Sequence, residues 1–320
     1  MPSVSTALIA ALLTASASTT VLTLQDPAIN ESSGLARSAL HKQVLWTHND
    51  GGTVADIIGI DRRGRSVARL RLRGIDPYDP EALAPGRGPG GRPALFLGDL
   101  GDNLEQRPDV SVFRVREPRE LGNSTIRPTW YRFTYEDGPH DAEALLVDPR
   151  DGRIWVATKS FGIGGLYRAP KRLVEESQGS NTLRRVADVP PLVTDGTFLP
   201  NGRFVLRTYT AGYLYDSPGK LREQITLPIQ EQGESIALDG QRLLVGSEGV
   251  HSQVLAVPLP KDASPQDPPS SGAGPGAGPR DQIAQVAQRP RAWMVAAGGL
   301  GLLAVLALLV AGRARRRRRA

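Results

Sequence analysis

The chain has 320 residues, 40% of them hydrophobic, enough for a sizeable core, so global disorder is excluded. Its 35 Gly and 26 Pro favour turns and short strands, and the absence of Cys excludes disulfides and Cys-ligated zinc. The net charge of +6 equals the six arginines at Arg313 and Arg315–Arg319; the rest is neutral, without the clustered basic face that nucleic acid requires.

In chain order, Ala7–Ala15 is a short apolar run followed by Ala15-Ser16-Ala17, a small-residue cleavage pattern. Residues 1–17 therefore read as a signal peptide, although the first six residues carry no positive charge. Residues 18–260 hold the folded ectodomain. Residues 261–291, rich in Pro, Gly, Ser and Ala, cannot bury a core and read as a flexible stalk. Trp293–Ala311 is 19 residues without a charge, long enough to cross ~28 Å of hydrocarbon, so a transmembrane helix is expected over 292–312. The arginines of 313–320 then place the tail in the cytoplasm and the ectodomain outside, as a single-pass protein of the cell membrane.

Within the ectodomain a short pattern recurs: Ser33-Gly-Leu-Ala, Glu81-Ala-Leu-Ala, Glu143-Ala-Leu-Leu, Asp195-Gly-Thr-Phe and Glu234-Ser-Ile-Ala, at intervals of 48, 62, 52 and 39 residues. Such spacing is that of propeller blades. Each instance is followed by further β-like runs, first Val44–His48, Ala94–Gly98, Ile154–Thr158, Phe204–Thr208 and Leu243–Ser247. Turn dipeptides Asp151-Gly152, Asn201-Gly202 and Asp239-Gly240 separate the first run from the second. The expected fold is an all-β propeller of five blades, with six as the alternative. Thr20–Leu24 would supply the strand that the last unit lacks and so close the ring.

The motifs Glu31-Ser-Ser-Gly-Leu-Ala, Trp46-Thr-His-Asn-Asp, Gly98-Asp-Leu-Gly-Asp-Asn, Arg116-Glu-Pro, Gly233-Glu-Ser-Ile and Ser247-Glu-Gly resemble those of secreted or membrane-anchored actinobacterial β-propeller proteins of the WD40-like repeat type. The Gly-His and Trp-Asp signature of true WD40 repeats is absent. A weaker, positional resemblance is to calcium-activated nucleotidases of the apyrase type, five-bladed propellers whose inner-strand Ser and Glu residues hold a central calcium. That resemblance implies a central Ca²⁺ held by Ser33, Glu81, Glu143 and Glu234, with Asp195 departing from a Ser.

The repeat itself places Ser33, Glu81, Glu143, Asp195 and Glu234 in a ring at one mouth of the channel. Carboxylates at short range repel unless a cation neutralises them, and hard oxygen donors favour Ca²⁺. The alternative is that they hydrogen-bond neighbouring backbone. The same face should carry the second-strand ends: His48, Asn49 and Asp50; Asp99, Asp102 and Asn103; Lys159; Arg207; and Glu248. Lys159 and Arg207 beside a cation would suit a small anionic ligand, and a metal-bound water would make phosphoester or anhydride hydrolysis feasible. Alternatively the two cations pair with Asp99, Asp102 or a ring carboxylate and stabilise loops. No P-loop, Rossmann turn, nucleophile elbow or His-Glu-x-x-His occurs. Two expectations follow. One is a ligand- or partner-binding module, its partner a small anion, a surface protein or a glycan. The other is a calcium-dependent extracellular phosphohydrolase.

Overall fold

A computed structural model describes residues 18–50, 54–260 and 263. The expected signal peptide, transmembrane helix and tail, and the stalk apart from Ala263, lie outside these residues. Among the described residues no helix is long and apolar enough to cross a membrane.

Among the described residues the regular structure is nearly all β-strand, paired mostly antiparallel. β1 (Thr19–Thr23) precedes a first unit of β2 (Ser32–Arg37), β3 (Leu45–Asn49), β4 (Asp56–Ile60) and β5 (Ser66–Leu72). The next contains β6 (Pro80–Arg87), β7 (Pro93–Asp99), β8 (Val110–Arg116), the short β9 (Asn123–Ile126) and β10 (Thr129–Tyr135). β11 (Ala142–Val147), β12 (Ile154–Thr158), β13 (Gly164–Arg168) and β14 (Ser180–Val189) follow, then β15 (Val193–Phe198), β16 (Phe204–Thr208), β17 (Ala211–Ser217) and β18 (Lys220–Thr226). The last unit is β19 (Gly233–Asp239), β20 (Arg242–Ser247) and β21 (Gln253–Pro258), and β1 pairs antiparallel with β21 to complete it.

The first strands of the units touch in succession: β2 packs on β6, β6 on β11, β11 on β15, β15 on β19, and β19 returns to β2. A closed circuit of inner strands, each leading outward through an antiparallel meander, is β-propeller architecture. Closure leaves no long free edge at the centre, and the terminal strand β1 locks the ring.

Two edge pairings were not expected from the repeat. β9 adds to the outside of β5 in parallel, so part of the second unit's chain covers the first unit's edge. β14 divides its length, Ser180–Leu183 pairing in parallel with β10 and Arg184–Val189 antiparallel with β13. Two units thereby merge into one eight-stranded sheet.

The turn dipeptides act as the sequence implies. Gly152, Gly202 and Gly240 take φ of +73°, +86° and +63°, conformations open to glycine at little cost. The core is not a central mass. It is divided into apolar layers between adjacent units, for example Trp46, Leu83, Leu97 and Phe113 between the first and second. Trp46 is fully buried there, and its Nε1 donates to Glu117 Oε1 at 2.9 Å.

Candidate functional site at the mouth of the ring

Each inner strand meets its second strand through a ladder that breaks at the same point. The register jumps past Ser33, past Glu81, past Glu143, past Thr194, and past Glu234-Ser235. A bulge of this kind re-aims the extra residue out of the pleat. Four of the ring positions read from the sequence are therefore the bulged residues. In the fourth unit the register corrects the reading: the ring position is Thr194, and Asp195 lies one residue beyond it.

The hydroxyl positions brace the ring. Ser33 Oγ donates to the Glu81 carbonyl at 3.3 Å, and Thr194 Oγ1 donates to the Glu234 carbonyl at 2.9 Å. Asp195 stands where the other units carry a small residue. Gly34 at that position is 2.6 Å, counted from where a Cβ would sit, from the Leu83 amide nitrogen. Asp195 is accommodated because its carboxylate accepts from the neighbouring backbone, Gly196 N–H and Ile236 N–H, both at 2.7 Å. Burial pushes its pKa well up, against those two bonds and the Arg207 charge.

Arg207, paired with Asp195 across the ladder, is fully buried. Its guanidinium donates to the carbonyls of Ser235 and Gly246 and to Gln230 Oε1. Burial lowers its pKa to about 10. It ties units together and does not face the mouth as an anion receptor. His48 occupies the equivalent ladder position in the first unit, opposite Gly34, and burial lowers its pKa to about 4. It is a neutral core imidazole at physiological pH.

Lys159, the residue after β12, stands among the ring carboxylates. Its amide donates to the Asp141 carbonyl at 2.9 Å, and its ammonium forms an ion pair with Glu143 and lies 5.3 Å from the Tyr209 ring centre. Burial alone would lower its pKa, but Glu143, Glu234, Tyr209 and Glu81 hold it well above the usual value. Burial raises Glu81, helped by the charges of Asp50, Glu143 and Asp79. Burial likewise raises Glu143 against Lys159, and Glu234 against Lys159 and Arg207. Glu248, half-buried and bonded by Gln232 Nε2, is pushed up to about 9 by burial and by Glu234, Asp50 and Glu31. The mouth is thus a recessed well of carboxylates with one ammonium among them.

One corner of the well offers oxygen donors to a cation. Asp50, Asp79 and Glu81 each present a ligand atom, all within 4.8 Å of one another. The neighbouring loop braces this corner. Asp99 accepts from the amides of Asp79 (2.8 Å) and Tyr78 (3.2 Å) and from Arg107 Nη1 (3.1 Å). Asp102 accepts from the Arg107 amide at 2.7 Å, and its own amide donates to Asp141 Oδ1 at 2.8 Å. Asn103 Nδ2 reaches Asp79 Oδ2 at 3.5 Å. Asn49 Nδ2 donates to the Ala28 carbonyl at 2.7 Å. Asp99, Asp102 and Asn49 are loop braces, whereas Asp50, Glu81, Glu143, Lys159, Glu234 and Glu248 come together.

Asp79, Asp141, Tyr209 and Gln232 belong to the well but were not singled out in the sequence. A signal existed for three of them: Asp79, Asp141 and Gln232 each lie two residues before a ring Glu, as Glu31 lies two before Ser33. A cavity of about 150 Å³, lined partly by Arg37, Leu45 and Arg242, lies at the opposite end of the strands.

No protein-family model matches the chain, and no curated protein matches it significantly. Solved structures do. A gluconolactonase from Xanthomonas campestris is similar at a TM-score of 0.45 and 17% identity, over 76% of this chain and 89% of that one. The PQQ-bound aldose sugar dehydrogenase of Streptomyces coelicolor aligns at 0.42 and 10%, over 76% and 98%. Virginiamycin B lyase from Staphylococcus aureus aligns at 0.39 and 13%, over 74% and 69%. At these scores and identities the likenesses assign no activity to this chain; the closed circuit of strands carries the fold.

Proposed function

We propose that the chain is a five-bladed, extracytoplasmic β-propeller, tethered by a C-terminal span, that acts as a binding module and holds calcium at its mouth. The blade count follows the circuit β2, β6, β11, β15 and β19. Export and tethering rest on the apolar run Trp293–Ala311 and the arginines after it. The observation that carries the site is the corner of Asp50, Asp79 and Glu81, three hard oxygen donors within 4.8 Å.

At the ring centre Asp195 accepts from two amides and Glu143 pairs with Lys159. Lys159 therefore supplies the neutralising charge that a central ion would bring. The hydrolase alternative needs cations directed at a phosphate, and Arg207 and Lys159 are committed to carbonyls and a carboxylate. Binding is the better reading.

The test is a calcium titration of the full chain in detergent, followed by thermal unfolding. Binding to the native state raises its stability by mass action. An upward shift that is lost in Asp79→Asn supports the site, and no shift at millimolar calcium refutes it.

A further inference from the structure

The large apolar side chains exposed by the described residues concentrate at one end of the strands. Tyr78 precedes β6, Leu104 lies between β7 and β8, and Phe161 and Ile163 between β12 and β13. Ile229 precedes β19, and Val250 lies between β20 and β21. All six stand on loops at the mouth. Phe161 is 78% exposed and Ile229 98%. Exposed apolar groups gathered around one feature mark an interaction surface.

The rim surrounds a well of opposite character. Asp50, Asp79, Glu81, Glu143, Glu234 and Glu248 converge inside it around Lys159. Complementarity therefore asks for a ligand that is apolar at its periphery and cationic at its centre. A second copy of this chain would set one acidic well against another. An anionic bilayer would likewise be repelled. A peptide segment satisfies both requirements: its Lys or Arg enters the well while flanking apolar side chains cover the rim.

We propose that the mouth docks a segment of a partner protein that carries a Lys or Arg flanked by large apolar residues. This rests on the reading of the mouth as the binding face, but not on calcium. Calcium at Asp50, Asp79 and Glu81 would weaken docking by removing negative charge from the well.

The experiment uses the full chain in detergent with EDTA. Fluorescence anisotropy would compare a labelled acetyl-Leu-Phe-Lys-Phe-Leu-amide with a twin in which norleucine replaces Lys. The Lys peptide is expected to bind about tenfold more tightly, the ratio worth ~1.4 kcal/mol. Phe161→Ser with Ile229→Ser, both at exposed positions that leave the core intact, is expected to weaken binding about tenfold. Equal binding of the twin, no binding at millimolar peptide, or indifference to the rim variant would overturn the proposal. So would rim-dependent binding to phosphatidylcholine vesicles, or a dimer that the rim variant abolishes. The two readings separate cleanly: a calcium shift without peptide binding sinks the docking alone, and peptide binding without a calcium shift sinks the ion alone.

Discussion

Lys159 and Glu143 form an ion pair inside a ring of buried carboxylates, with Glu81 and Glu234 close enough to raise the lysine's pKa further. The ammonium stands where the sequence led us to expect a metal. Its removal should therefore expose the repulsion it offsets. Lys159→Met is expected to cost about 3–5 kcal/mol of stability at pH 8, the range for breaking a buried pair. The loss should shrink at pH 5, where the carboxylates neutralise themselves by taking protons. Urea unfolding at both pH values measures this, and equal losses would show that the ammonium does not balance the ring.

Asp195 joins the fourth unit to the last by accepting the Ile236 amide at 2.7 Å. Asp195→Ala leaves that amide and the Gly196 amide without this acceptor, beside buried Arg207. The expected cost is on the order of 3 kcal/mol, from the desolvation of unsatisfied groups. A chemical denaturation midpoint equal to wild type would contradict this bridging role.

Glu248 and His48 pull the pH dependence of stability in opposite directions. Glu248 has its pKa raised from 4.5 to about 9, so the folded state keeps a proton that the unfolded chain loses in that window. Its contribution is full below about pH 4.5 and is lost as the pH rises towards 9. His48 has its pKa lowered from 6.5 to about 4, so the unfolded chain takes up a proton that the folded site refuses. Its contribution is lost as the pH falls from 6.5 to 4. Without calcium, Glu248→Gln should flatten the alkaline arm of the melting curve by at least ~2 °C, the shift that ~1 kcal/mol gives in a domain of this size. An unchanged alkaline arm would remove Glu248 as its cause.

Gly34 is fixed by packing and not by a turn. A Cβ there would stand 2.6 Å from the Leu83 nitrogen and 2.8 Å from His48 Cε1. Gly34→Ala is expected to destabilise by about 1–3 kcal/mol, the cost of overpacking. A neutral substitution, read by thermal unfolding, would show that the first and second units can move apart.

Much of the fold was legible because each blade repeats a physical pattern: an inner strand of small and apolar residues, a turn that in three units carries Asp-Gly or Asn-Gly, and a second apolar strand. The closing role of Thr20–Leu24 was legible too, since the last unit lacked a strand and β1 supplies it. The parallel pairings of β9 and β14 were not, because outer strands are half-exposed and their partners are set by tertiary proximity. Asp195 was misregistered by one residue because its carboxylate resembles the ring glutamates in type. Only the ladder shows that Thr194 occupies the bulge. Arg207 reads as a ligand-binding cation in sequence, and only its burial against carbonyls identifies it as a brace.

The proposed cation site lies at Asp50, Asp79 and Glu81, whose ligand atoms stand within 4.8 Å of one another. Isothermal titration calorimetry of calcium binding to the full chain at pH 7 tests it directly. The expected result is saturable binding that is lost in Asp79→Asn. Absence of calcium binding, or binding that is unchanged in Asp79→Asn, would contradict it.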